Sequence, residues 1–171
     1  MQTKIFVVAW LCLFVALFPK TPLILEHKII NAVEYAFPFI TELEGRRNKA
    51  YKDARGFWTT GVGHLIKHDE AHLIAATLTD EQVEELFRSD LRGCEDAVLS
   101  SVRVPLTVNQ KSALYSLCFN IGPNGFKASS VVRALNQGRY RDAANHFMDW
   151  ATPSVLAPRR HKEKTLFLSD T

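Results

Sequence analysis

The sequence predicts an α+β fold, in which a small β-hairpin or sheet lobe precedes a mainly α-helical lobe and an apolar helix stands at the N-terminus. Three observations predict this fold. Residues 57–64 combine aromatic, Thr and Val residues with glycines, which is typical of a hairpin or a three-stranded sheet. Residues 79–168 repeat apolar side chains at helical spacing. Residues 5–18 are apolar throughout.

The composition is that of one folded domain with an appendage, since the chain has 171 residues. Hydrophobic residues make up 47% and charged residues 23%, which excludes a disordered or collagen-like chain. The net charge of +3 is small for a nucleic-acid-binding domain, and no basic face interleaved with aromatic residues is evident. We therefore expect no nucleic-acid partner.

The N-terminal run Ile5–Phe18 is preceded by Lys4 and followed by a Pro-Lys-Thr-Pro stretch. As a helix the run would be about 21 Å long, against a hydrocarbon core of about 30 Å, so its length suits a signal peptide. No small-residue cleavage pattern follows it. We therefore expect residues 1–25 to form an uncleaved export signal-anchor, with a cleaved signal and a buried core helix as alternatives.

Beyond that segment, residues 26–37 are interpreted as a linker or extra helix and residues 38–171 as the main domain. A helical pattern interrupted by Pro38 ends at Glu44, where the following Gly suits a helix C-terminus.

Five further helix signals follow along the chain. Thr79 and Thr107 each open a capping box, and Ser129 caps a short helix. The pattern predicts another helix over residues 139–150. A last helix, Arg159–Leu168, starts with basic residues that we expect to form a solvated face.

The cysteines and histidines give weaker signals. No C-x-x-C motif is present, so a zinc knuckle is not expected. Cys94 and Cys118 fall on apolar helix positions and are interpreted as buried thiols, with a bridge between them after export as the alternative. His64, His68 and His72 follow at spacings of four, but no acidic or thiolate ligand is fixed nearby, so we expect no metal.

Two carboxylates, Glu44 and Asp53, bracket a short loop between the first helix and the hairpin. Cleaving an acetal needs one carboxyl that donates a proton and a second, ionised one that activates water or stabilises positive charge. Glu44 follows an apolar edge and suits the acid, whereas Asp53 lies in a polar turn and suits the ionised partner. Thr59 would face the same cleft and position a water.

The stretch E-G-x5-Y-x-D-x2-G-x2-T-x-G-x-G-H, from Glu44 to His64, resembles the signature of the tailed-phage lysozymes, the family 24 glycoside hydrolases. The resemblance extends over residues 38–168. It includes the helix from Thr79 to Asp90 and the block N-Q-x-x-A-L-x-S-x-x-F-N-I-G that ends at Gly122.

The resemblance implies a lysozyme-like fold without a cofactor or metal, and it implies roles for particular residues. Glu44 aligns with the general acid, Asp53 with the opposing carboxylate and Thr59 with the residue that holds the nucleophilic water. His64 would brace the site and Arg159 would lie near the acid. The residues that would contact the glycan are Leu65, Phe119 and Ser129.

The function implied is that of a monomeric muramidase, which hydrolyses the β-1,4 bonds between N-acetylmuramic acid and N-acetylglucosamine in peptidoglycan and lyses a bacterial host. With its N-terminal segment the chain resembles signal-arrest-release endolysins, so we expect it at the host inner membrane and periplasm. A membrane-tethered, non-catalytic peptidoglycan-binding protein on the same fold is the alternative.

Overall fold

The computed structural model describes the backbone of residues 21–169 and the side chains of residues 32–169. The predicted anchor run Ile5–Phe18 lies outside the described residues. Within the described part, no helix has both the length and the apolar character needed to cross a membrane.

A long helix and a small sheet form the first half of the fold. Helix α1 (Thr21–Glu44) leads into a three-stranded antiparallel sheet in the order β1-β2-β3. The strands are β1 (Arg47–Lys52), β2 (Trp58–Gly61) and β3 (His64–Leu65), and a 3₁₀ helix (His68–Ile74) follows them. The predicted sheet is therefore present, and it includes a strand over residues 47–52, where we expected a loop.

Six helices form the larger lobe. They are α2 (Asp80–Ser101), α3 (Val108–Ile121), α4 (Pro123–Ala128), α5 (Ser130–Leu135), α6 (Tyr140–Asn145) and α7 (Ala157–Leu168), with 3₁₀ turns at His146–Trp150 and Ser154–Leu156. The arrangement confirms the α+β prediction of a small sheet lobe and a mainly helical lobe.

Helix α1 differs from the predicted pattern because it continues through Pro38, and it includes all of residues 26–37, which we interpreted as a linker or extra helix. Its buried residues Ala32, Ala36 and Ile40 belong to the core, and this burial outweighs the backbone hydrogen bond that a proline removes. The helix ends at Glu44, and the next residue, Gly45, has a φ of +79°, which favours glycine. The domain limits at residues 25 and 37 stay a prediction.

Helix α3 lies at the centre of the helical lobe. Every residue from Ser112 to Cys118 is buried, and a helix buried all round must be surrounded by other elements. Helices α1, α2, α4 and α7 surround it. The hydroxyls of Ser112 and Ser116 therefore donate to groups on α1 and α7.

The local capping signals are confirmed. Thr79 and Thr107 both form capping boxes at the starts of α2 and α3, and the Ser129 hydroxyl accepts a hydrogen bond from the Val132 amide at 3.3 Å. The single helix expected over residues 139–150 is instead divided, because α6 ends at Asn145 and a 3₁₀ helix follows.

The interpretation of Cys94 and Cys118 as plain thiols is wrong, because a disulfide joins them. Cys94 lies on α2 and Cys118 on α3, and packing of these two helices brings their Cα atoms to 5.7 Å. The bridge ties α2 to the central helix. Cys12 lies outside the described residues.

Candidate active site

Glu44 is the last residue of α1 and lies where this helix meets α7. The Arg159 Nη1 group donates to Glu44 Oε1 at 2.6 Å. The Glu44 side chain is 24% exposed, so the carboxylate is partly desolvated and still reachable from solvent. Among the described residues, only Oε1 of this carboxylate has a hydrogen-bond partner, which leaves Oε2 free to carry a proton or contact a ligand.

A buried ionic cluster, formed by Arg159, Arg160, Glu163 and Ser116, lies beneath Glu44. Arg159 Nε donates to Glu163 Oε1 at 3.0 Å, the Ser116 hydroxyl donates to the same oxygen at 2.7 Å, and Arg160 donates to Glu163 Oε2. The expected solvated face at the start of the last helix is therefore wrong for both arginines. They are buried because Glu163 lies on the same side of α7, one turn further along.

Burial disfavours the charged form of Arg160 in this cluster. Desolvation lowers the pKa of the Arg160 guanidinium, and the charge of Glu163 opposes that effect. Arg160 also donates to the Trp150 carbonyl at 3.2 Å and to the Asn120 side chain. A buried charge is tolerated only with such partners, so the cluster is a fixed structural unit.

Asp53 occupies the turn between β1 and β2. Its Oδ1 accepts from the backbone amides of Arg55 and Phe57, both at 2.9 Å, and its Oδ2 is 3.3 Å from Arg55 Nη2. These interactions, led by the Phe57 amide, hold the pKa of the Asp53 carboxyl below its usual range. Asp53 is therefore ionised at neutral pH, as the opposing carboxylate of a glycosidase must be.

Thr59 lies on β2, directly opposite Leu65 on β3 and Tyr51 on β1. Residues paired across strands point to the same face, so Thr59 and Leu65 share one face of the sheet. Thr59 is buried, and its hydroxyl donates to the Phe57 carbonyl at 3.3 Å, while Leu65 is 48% exposed. The predicted water-holding and glycan-contacting residues are thus neighbours.

His64 ties the sheet to the helical lobe. Its Nδ1 is 2.9 Å from Asp90 Oδ2 on α2, and its Nε2 is 3.1 Å from Glu70 Oε2 on the 3₁₀ helix. The Asp90 hydrogen bond is the largest of the effects that raise the pKa of this buried histidine. The raised pKa widens the pH range in which His64 is protonated. Its bracing role stays a prediction.

Leu65 and Phe119 line the same groove, with a volume of about 290 Å³, between the sheet and the helical lobe. The other residues that line this groove are Gly63, Lys67, Asp90, Cys94, Cys118 and Pro123. Phe119 also packs against Phe87, with ring centroids 5.7 Å apart. Ser129 is not brought to this groove, because it is buried as the cap of α5. Its predicted glycan contact stays a prediction.

A larger cavity of about 730 Å³ lies between the start of α3 and α6, and its lining includes Leu106, Gln110 and Tyr140. Of the site residues predicted from the sequence, all of which are described, none lines this cavity. Leu65 and Phe119 line the smaller groove, whereas Glu44, Asp53 and Thr59 are not among the residues that line it. Within the described part of the chain, no group of His, Cys, Asp or Glu side chains is arranged to hold a metal ion.

Sequence reasoning missed Arg160, Glu163 and Ser116 in the cluster, and Asp90 and Glu70 at His64. The spacing R-R-x-x-E on α7 was an available signal, because residues three and four positions apart share a helix face. The histidine partners carry no comparable local signal.

The fold and the two carboxylates, one at a helix terminus and one in a sheet turn, define a lysozyme-type protein. The family described as Phage lysozyme matches residues 41–163. The endolysin of Salmonella phage P22 is 48% identical over 131 residues, which cover 74% of this chain and 90% of that protein. A crystal structure of a P22 lysozyme mutant has a TM-score of 0.71 at 44% identity and covers 78% of this chain and 95% of that one.

A SAR-endolysin of Enterobacteria phage P21 is 31% identical over 108 residues, which cover 63% of this chain and 64% of that protein. The family match covers well over half of the chain. The chain belongs to the phage lysozyme family.

Proposed function

We propose that this chain is an endolysin whose muramidase activity depends on Glu44, Asp53 and Thr59. As a lysozyme it hydrolyses the β-1,4 bonds between N-acetylmuramic acid and N-acetylglucosamine in bacterial peptidoglycan and thereby lyses the host cell. The observation that supports these site assignments best is the contrast between the carboxylates. Asp53 is held ionised by two backbone amides, whereas one oxygen of the partly exposed Glu44 has no hydrogen-bond partner among the residues that the structure describes.

In the proposed mechanism, Glu44 donates a proton to the leaving glycosidic oxygen. The ionised Asp53 stabilises the positive charge that develops on the sugar ring and accepts the proton that the attacking water loses, and Thr59 positions that water. Leu65 and Phe119 would hold the glycan in the groove, and the Ser129 contact is part of the same proposal. Arg159 orients Glu44, and His64 holds the sheet against α2. No cofactor or metal takes part in this proposal.

The acid assignment is tested by the substitution Glu44→Gln in the full chain, with Glu42→Gln as a matched control. Glu42 lies on the same helix, pairs with Lys162 at 2.5 Å and is exposed. We expect Glu44→Gln to slow the clearing of a suspension of purified walls on the order of a hundredfold or more, and Glu42→Gln to leave it almost unchanged. Equal clearing by both variants would overturn the assignment.

Sedimentation with the same walls, together with the release of reducing sugar ends, separates hydrolysis from the alternative, a membrane-tethered, non-catalytic peptidoglycan-binding protein. An unsubstituted chain that sediments with walls without releasing reducing sugar ends would favour the binding protein. The intact Glu44, Asp53 and Thr59 favour hydrolysis, since binding alone does not need all three.

We further propose that residues 1–25 anchor the enzyme, as a monomer, in the inner membrane of the host with the body in the periplasm. The uninterrupted apolar run Ile5–Phe18 supports this location, and relatives of the SAR-endolysin type share the family. Fractionation of cells that express the full chain tests it. Full-length protein in the membrane fraction is expected, and a shortened periplasmic product would exclude the uncleaved anchor.

A further inference from the structure

Glu163 has no role in the proposed mechanism, yet it is fully buried with both carboxylate oxygens in use. Oε1 accepts from Arg159 Nε at 3.0 Å and from the Ser116 hydroxyl at 2.7 Å, and Oε2 accepts from Arg160. Hydrogen bonds between ionised partners are stronger than neutral ones, and burial strengthens them further. The Glu163 carboxylate is therefore held in one position by α3 and α7.

Arg159 transmits that position to Glu44. Its Nε contacts Glu163, its Nη1 donates to Glu44 at 2.6 Å, and its Nη2 donates to the Ser116 carbonyl at 3.1 Å. Because a guanidinium is planar and rigid, fixing the Nε edge and Nη2 also fixes the direction of Nη1. The position of the Glu44 carboxylate thus depends on a residue that does not touch it.

Glu163 also balances the charge beneath Glu44. The ionic cluster places two guanidinium groups on α7 within reach of one carboxylate, and Glu44 is the second anion. Without Glu163, the Arg159 guanidinium would have Glu44 as its remaining carboxylate partner, and the buried Arg160 would have none among the described residues. Both guanidinium groups would then shift from their present positions, and the Glu44 carboxylate would shift with Arg159.

We propose that Glu163 is a positioning residue for Glu44, acting through Arg159. This inference rests on the proposed function only for the role of Glu44 as the acid. It adds a residue on α7 whose contribution to catalysis is carried entirely by a second side chain.

The first test is Glu163→Gln in the full chain, with kcat and KM measured on soluble, uncross-linked peptidoglycan strands. Gln keeps the shape of the side chain and removes its charge. We expect kcat to fall about 10- to 100-fold, since small misplacements of a catalytic group have effects of that size, and KM to stay within about twofold. A change in KM alone would overturn the proposal.

A double-mutant cycle with Arg159→Met separates positioning from general loss of structure. If Glu163 acts through Arg159, adding Glu163→Gln to Arg159→Met lowers kcat little further. Effects that multiply in full would overturn the proposal. Lys162→Gln is the matched control, because Lys162 and Glu42 also link α7 to α1 but do so at the surface, and it should keep the unsubstituted kcat.

Ser116→Ala keeps the proposal testable if Glu163→Gln does not fold. The substitution removes the hydrogen bond to Glu163 and the 3.4 Å contact from Arg159 Nη2 to the Ser116 hydroxyl, and it leaves the Ser116 carbonyl contact with Arg159 in place. We expect kcat to fall on the order of threefold, as for the loss of one net hydrogen bond. An unchanged kcat would overturn the proposal. Activity of Glu44→Gln would instead overturn the proposed acid, which is a separate outcome.

Discussion

The turn around Asp53 and the ionic cluster beneath Glu44 hold their carboxylates in different ways. Asp53 is fixed by amides two and four residues further along the chain, in an exposed turn. Glu44 is fixed by Arg159, 115 residues away, on top of a buried ion cluster. The first arrangement needs only a hairpin, whereas the second needs α1, α3 and α7 packed together. The position of the Asp53 carboxylate is therefore determined by neighbouring residues, whereas the position of the Glu44 carboxylate depends on the packing of the helical lobe.

The largest effect that follows from this comparison is on activity. Asp53→Asn keeps an oxygen that can accept from the Arg55 and Phe57 amides but removes the charge. We expect wall clearing to slow about a hundredfold or more, while the midpoint of urea unfolding falls only slightly. A large fall in the unfolding midpoint would show that the turn needs the charge, and the contrast with Glu44 would then fail.

The next effect is on stability and tests the buried side of the comparison. Arg160→Met removes the guanidinium that neutralises Glu163 Oε2 and leaves the Trp150 carbonyl without its donor. We expect the free energy of unfolding to fall by about 3 kcal/mol, because the buried Glu163 loses one charge partner and then shares the single guanidinium of Arg159 with Glu44. Lys162→Met breaks an exposed pair and should cost less than about 1 kcal/mol. If both variants lose the same free energy of unfolding in urea, burial of the Arg160–Glu163 pair does not add to its contribution to stability.

The smallest effect concerns His64, which joins the two regions. Its pKa in the folded protein is raised above 6.5, mainly by Asp90, so the native state binds the proton more tightly than the unfolded state. The stabilisation is therefore complete below about pH 6.5 and is lost as pH rises through the folded-state pKa. The free energy of unfolding should decrease over this range.

Urea unfolding of the full chain between pH 6 and 9 checks this expectation, with His64→Gln as the variant. The pKa of Asp53 is lowered, so its contribution is present above 3.8 and is lost only as pH falls, outside this range. A slope that persists in His64→Gln would assign the pH dependence to another group.

The features that could be predicted from the sequence are those determined by neighbouring residues. The Thr79 and Thr107 capping boxes and the Gly45 helix end depend on a few adjacent positions, and all three are present. The strand β1 was missed because its sequence, RNKAYK, is polar on both faces and gives no alternating pattern. This strand forms by pairing with β2, so it cannot be predicted from the residues of β1 alone.

Features that depend on distant elements could not be predicted in the same way. The Cys94–Cys118 bridge requires that α2 and α3 pack together, and the burial of Arg160 requires Glu163 and Asn120 from two different helices. The position of Arg159 near Glu44 was expected only from the resemblance to a known family. Local composition at the start of α7 indicated a solvated face, because charge alone does not reveal its partners.

The Glu44–Arg159 contact can form only late in synthesis of the chain. Arg159 follows Glu44 by 115 residues, so at about 5–20 residues per second it is made roughly 6–23 s later. Until then the nascent chain contains Glu44, Asp53 and Thr59 but not the guanidinium that contacts Glu44, the proposed acid. The hairpin can form early, yet the enzyme acquires its full site only when α7 has been made and has folded against α1.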